Sequence, residues 1–134
     1  MSIAANASGR TFEGVITGLL TRKGIPHVSQ CSLSERSIFG RQLRVDVLIE
    51  PCDRIPNGLI IEAKWQDVTG SAEEKLPFLV ENIKTHYPYP AVIVIDGSGF
   101  TAGAMNWLLS QVDGEKLIAV MSIKEFISWC NREI

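Results

Sequence analysis

The run from Ala91 to Ile95, AVIVI, most constrains how this chain folds. A half-exposed strand alternates apolar and polar residues, so an uninterrupted apolar, β-branched run of this length needs cover on both faces. Such a strand belongs inside a sheet with helices packed above and below. The rest of the chain supplies those helices. Phe12, Val15, Ile16, Leu19 and Leu20 recur at helical spacing after a small-residue arm, Ser2 to Ser8, and Gly24 with Pro26 ends that helix.

His27 to Leu33 reads as a weak strand and Ser34 to Gly40 as a polar loop. Gln42 to Glu50 and Leu59 to Gln66 flank the turn cluster PCDRIPNG, which predicts a hairpin. Ser71 with Glu74 fits a capping box for a helix whose apolar side is Ala72, Leu76, Leu79, Val80 and Ile83. Pro77 predicts a kink there or a start near that residue. After Ala91 to Ile95 come a glycine-rich turn, a helix from about Ala102 to Gln111, a strand Leu117 to Met121 and a helix Ser122 to Asn131. The order α-β-β-β-α-β-α-β-α implies an α/β fold with a central mixed sheet flanked by helices, in one domain over residues 1–134.

Composition narrows the function classes. A net charge of -2 and a pI near 5.7 exclude a chain whose whole surface is a polycation, while leaving room for a local basic groove. Cys31, Cys52 and Cys130 have neither zinc spacing nor a disulfide framework, which points to a reducing, cytoplasmic setting. The first residues lack an apolar core of signal-peptide length, and no segment has the ~20 apolar residues of a membrane span, so no membrane partner is expected.

The hairpin carries the chemistry. Alternation places Glu62, Lys64 and Gln66 on one face of their strand, with Ile61, Ala63 and Trp65 on the other. On the preceding strand it places Asp46 with Leu48, opposite Val45, Val47 and Ile49. A register with Asp46 opposite Glu62 brings two carboxylates and one ammonium together. Such an oxygen-rich pair suits magnesium, with manganese as a substitute, and phosphodiester hydrolysis is the matching chemistry. Lys64 then orients the attacking water or stabilises developing charge.

Written out, the pattern is RVD46VLIE, then IIE62AK64WQ66, with fifteen residues between Asp46 and Glu62, and with Glu13 in the first helix. It resembles the PD-(D/E)XK nuclease superfamily, although Val45 stands where the motif has proline. The resemblance runs from about Ser8 to Asp96 and implies an αβββαβ core of restriction-endonuclease-like type, followed here by helix-strand-helix. It implies a metal-dependent DNA-cleaving enzyme: Asp46, Glu62 and Glu13 as metal ligands, with Lys64 and Gln66 completing the catalytic set. Restriction-like, homing and junction-resolving activities remain open, as does a catalytically silent DNA-binding or assembly module on the same fold.

Other features have plainer readings. Arg36, Arg41 and Arg44 precede the acid and either contact phosphate or sit on a charge-balanced surface beside Glu35. Lys75 and Lys84 read as a solvated helix face, Gln66 alternatively as a structural strand end, and Trp65 as core. Gly97, Gly99 and Gly103 look like a dinucleotide-binding turn, but the next strand has no acid at its end to meet a ribose. They therefore read as a turn and helix start, with a chance that the helix end meets a nucleic-acid phosphate. Ile123, Phe126 and Ile127 form one stripe of the last helix and Trp129 falls outside it, exposed unless covered. A homodimer or higher oligomer is expected on that ground, and because one site cuts only one strand of a duplex.

Overall fold

The computed structural model describes residues 2–66 and 71–134. In chain order its elements are α1 (Ser2–Arg22), β1 (Val28–Arg36), β2 (Gln42–Ile49), β3 (Leu59–Trp65), α2 (Leu76–Thr85), β4 (Ala91–Asp96), α3 (Ala102–Ser110), β5 (Leu117–Met121) and α4 (Ile123–Glu133). The strands form one mixed sheet in the order β1-β2-β3-β4-β5, antiparallel from β1 to β3 and parallel from β3 to β5. The fold is α/β with helices on both faces, as the apolar run of β4 requires. No helix among the described residues is long and apolar enough to cross a membrane.

β4 shows why. Ala91, Ile93 and Ile95 join Leu76, Val80, Ile83 and Leu108 in a core beneath α2 and α3. Val92 and Val94 join Phe12, Ile16, Leu20, Phe126 and Cys130 in a second core beneath α1 and α4. Each fully buried side chain of this size contributes roughly 1.5–3 kcal/mol relative to exposure. Both halves of the sheet's stability therefore pass through one strand.

Several boundaries differ from the sequence reading. α1 takes in the small-residue stretch, whose alanines favour helix. β1 continues to Arg36, and the loop contracts to a turn in which the Ser37 N–H donates to the Arg41 carbonyl at 2.7 Å. No capping box opens α2: Ser71–Lys75 is a 3-10 turn, Lys75 is the N-cap without a side-chain bond, and Pro77 lies in the first turn, where a missing N–H costs little. The capping box is at α4 instead, between Ser122 and Glu125.

Two side-chain assignments are corrected. On α4, Ile127 is exposed, whereas Trp129 is half-buried and stacks on Phe126 at 6.0 Å between ring centroids. The buried stripe runs through Phe126 and Cys130, with Ile123 and Trp129 packed against the core, so Trp129 gives no reason to place an interface on α4. On β2, Val45 does not share a face with Val47 and Ile49. Leu43 and Val45 lie in the α2/α3 core, and Val47 and Ile49 in the α1/α4 core. Regular alternation forbids residues two apart from facing opposite ways, so β2 changes face at Asp46. The β1 pairing keeps one register across the change, Ser29 with Val47 and Cys31 with Val45, which sets Gln30 opposite Asp46. Gln30 has a φ of 48°, a left-handed conformation that costs a residue with a side chain about 1 kcal/mol or more.

Candidate active site

β3 emerges from the core through Ile60 and Ile61 and brings Glu62 and Lys64 to its end. The β2–β3 register pairs Val47 with Ile61, and its continuation sets Asp46 opposite Glu62, the register that brings the two acids together. Each acid is fixed by the other strand's backbone. The Asp46 N–H donates to Glu62 Oε1 at 3.1 Å, and the Ala63 N–H donates to Asp46 Oδ2 at 2.8 Å.

Glu62 is buried, and the Tyr87 hydroxyl donates to its Oε2. Burial first, then the charge of Asp46, push the Glu62 pKa from 4.5 up to about 7, against the opposing pull of Lys64 and the Tyr87 hydrogen bond. Tyr87 is itself driven upward by burial and by Glu62, so its hydroxyl stays a donor. Sequence reasoning missed Tyr87. It follows α2 in the proline-bracketed HYPYP segment, and only the β3–α2–β4 crossover returns it to Glu62.

Glu13 is held at the same place from the other side. α1 packs on β3 through Phe12, whose ring meets that of Trp65 at 5.4 Å, consistent with Trp65 as a core residue. The amide nitrogen of Gln30 lies 3.0 Å from both Glu13 carboxylate oxygens and 3.3 Å from Asp46 Oδ1. An amide donor set among three carboxylate oxygens marks a point of strong negative potential. Gln30 was also missed, because nothing in a weak strand pattern signals a positive φ.

Asp46, Glu62 and Tyr87 open onto a cleft of about 500 Å³ whose lining also includes Arg41, Arg44, Lys64 and Lys75. A second hollow of about 590 Å³, lined by Arg10, Glu13 and Trp65 among others, shares Lys64 with it. Among the described residues the ion pair is Lys84 with Asp113, so the four cleft cations have no such partner there. Lys75, at the start of α2, is exposed as expected and also lines this cleft, whereas Lys84 is half-buried and pairs with Asp113. Of the three arginines, Arg36 is the one outside the cleft: its guanidinium donates to the Gly40 carbonyl at 3.0 Å and braces the turn.

Gln66 is directed elsewhere too. Its side-chain amide donates to the Gly99 carbonyl at 2.9 Å and its backbone carbonyl accepts the Gly99 N–H at 2.8 Å. Gly97, at φ 98°, has no room for a side chain, since a Cβ would sit 2.3 Å from the Gln66 carbonyl oxygen. The glycines thus tie β3 to β4. At the start of α3 the Glu73 carboxylate takes the Thr101 N–H at 3.0 Å, so an acid already occupies the position where a phosphate contact was considered.

The residues fit a hard divalent cation. Asp46, Glu62 and Glu13 offer oxygen donors alone, and each oxygen of Asp46 and Glu62 accepts one hydrogen bond, leaving a further lone pair. Among the described residues no group of three His, Cys, Asp or Glu side chains is placed to hold a metal ion, so Glu13 does not complete a three-carboxylate set with Asp46 and Glu62. Magnesium keeps several waters and uses one or two carboxylates, which the Asp46–Glu62 pair alone can offer.

No curated protein and no solved structure matches the chain. The family model described as a PD-(D/E)XK nuclease superfamily domain matches residues 4–134, beyond the helix-to-strand segment that carries the motif and through to the end of α4. With Asp46 on one strand and Glu62-x-Lys64 on its antiparallel neighbour, in the expected element order, the chain belongs to the PD-(D/E)XK nuclease superfamily.

Proposed function

We propose that this protein is a metal-dependent endonuclease that hydrolyses phosphodiester bonds in DNA. The observation that carries this reading is the pairing of two backbone-pinned carboxylates, Asp46 and Glu62, with an otherwise cationic cleft. Four cations without ion-pair partners among the described residues attract a polyanion, and the acids at the same place give a divalent cation a seat.

Each residue has a distinct part. Arg41, Arg44 and Lys75 bind backbone phosphates and set the strand's position. Tyr87 and the Asp46 N–H hold Glu62 in one orientation, and Gln30 ties Glu13 to Asp46, so the acids stay close despite mutual repulsion. Asp46 and Glu62, with Glu13 nearby, would hold a magnesium ion, which when bound would supply positive charge against the phosphoryl oxygens and make attacking water more acidic. Lys64, next to Glu62 and open to the cleft, donates hydrogen bonds to the water or to the charge that develops on phosphorus oxygens. Gln66 is left out of this set, because its amide serves the glycine turn.

Incubation of the purified chain with supercoiled plasmid in magnesium, in manganese and in chelator tests the reading. Nicked or linear product that appears with metal and disappears with chelator is the expected result. Retarded but uncut plasmid under all three conditions identifies a silent DNA-binding module instead.

A further inference from the structure

The turn between β1 and β2 presents an aromatic ring to solvent at the mouth of the basic cleft. Phe39 is 75% exposed, the most exposed of the large apolar side chains described, and its ring lies on that of Phe78 at 5.1 Å, tilted by 22°. Phe78 lines the cleft and is itself partly exposed. An apolar ring left in water gives up burial energy, yet the turn that carries it is firmly held. The Ile38 N–H donates to the Oδ1 of buried Asn82 at 2.9 Å, the Phe39 N–H donates to Ser37 Oγ at 3.2 Å, and the Arg36 guanidinium braces Gly40. The ring is therefore displayed by a rigid turn, which lowers the ordering cost of a stacking partner.

We propose that Phe39, backed by Phe78, stacks on an unpaired or extruded base and selects DNA that is locally unpaired, such as a bulge, flap or junction. The proposal rests on the nuclease reading and names its substrate class. Bases inside a continuous duplex cover each other's faces, so an exposed ring finds a π-face only where a base has left the stack. Charge favours nucleic acid over a protein surface as the occupant. Arg41 and Arg44 follow the ring on the same hairpin and line the cleft with Lys75 and Phe78, and the backbone phosphates of the strand carrying that base would meet them.

The test is binding of the full chain, in chelator so that DNA stays intact, to two short duplexes. One is fully paired, and the other carries a single unpaired 2-aminopurine. The wild-type protein is expected to bind the bulged duplex about 5- to 100-fold more tightly and to quench the 2-aminopurine emission, on the usual scale of base–aromatic stacking. Phe39→Ala should bring the ratio towards one, and Phe39→Trp should keep it. Thermal melts confirm that both variants fold. Equal affinities for the two duplexes, insensitive to Phe39→Ala, overturn the inference and leave the nuclease reading intact. No binding to either duplex, with plasmid uncut in magnesium, sinks both. A shift from oligomer to monomer on Phe39→Ala, with the DNA ratio unchanged, assigns the ring to a second copy of the chain and also overturns the proposal.

Discussion

The ends of β3 and β4 hold two polar clusters side by side, and both correspond to motifs visible in the sequence. In the glycine turn, polar groups have local partners: Asp96 accepts from the N–H groups of Gly97 and Ile123, Gln66 and Gly99 exchange bonds, and Glu73 takes Thr101. At the neighbouring cluster, Glu13, Asp46 and Glu62 are held near one another with Lys64, and Glu62 is pushed up to about 7. The first cluster closes on itself. The second is held in an unfavourable electrostatic arrangement by backbone hydrogen bonds, Tyr87 and a strained Gln30. Local satisfaction marks a structural turn, and enforced repulsion is the feature on which the proposed cation seat rests.

Substitution sharpens this contrast most at the acids. Asp46→Asn and Lys64→Ala should each lower plasmid cleavage by roughly a hundredfold to a thousandfold or more, the scale of losing one electrostatic contributor to a transition state. Their melting temperatures should stay near that of wild type, because neither side chain belongs to the two apolar cores. Losses of stability matching those of a core truncation, with cleavage intact, would turn the cluster into a second structural turn.

A smaller effect follows from pH. An unfolded chain releases the Glu62 proton near 4.5, whereas the folded, metal-free protein keeps it until about 7. Between those values the folded state binds more protons, so stability is full below the lower value and falls as pH rises through the upper one, by up to about 3 kcal/mol. Metal-free melts at about pH 5 and about pH 8 should show this fall, and Glu62→Gln should flatten it. Asp113 works in the opposite sense. The N–H of Glu115, helped by those of Lys116 and Leu117, holds its carboxyl below the ordinary range, so its contribution is lost only as pH falls. A pH profile unchanged by Glu62→Gln would remove the basis for calling the cluster repulsive.

At the glycine turn the expectation reverses. Gly97→Ala places a Cβ against the Gln66 carbonyl at positive φ and should destabilise by roughly 2–3 kcal/mol in a denaturant titration, while the soluble fraction keeps its cleavage rate per folded molecule. A large loss of cleavage without loss of stability would mean that the turn takes part in the site.

This division also explains what was legible in advance. Element order and the β4 sandwich followed from periodicity, because burial imposes it along a strand, whereas Asp46 opposite Glu62 was one register among those the pattern allowed. Alternation misplaced Val45, since one positive φ at Gln30 accompanies a change of face that no residue pattern records. Tyr87 and Lys75 were invisible as site members because they reach the cleft only through the crossover that follows β3. Asn82 did leave a trace: it is a polar residue beside Ile83 and close to Leu79 on the apolar side of α2, and it proves to be the buried anchor of the Phe39 turn.

The smallest predicted effect probes the strained residue itself. Gln30→Glu is nearly isosteric but replaces an amide donor with a carboxylate between Glu13 and Asp46. Without metal, three acids then face one another, and the protein should lose on the order of 1 kcal/mol, since exposed like charges are partly screened by solvent. Magnesium or manganese should restore the melting temperature, giving a larger metal-induced rise than in wild type, because a cation that prefers the native state stabilises it in proportion to its affinity. A rise no larger than that of wild type would show that the Gln30 amide does not stand where the cation binds, and the metal position would then have to be sought nearer Glu62 and Lys64.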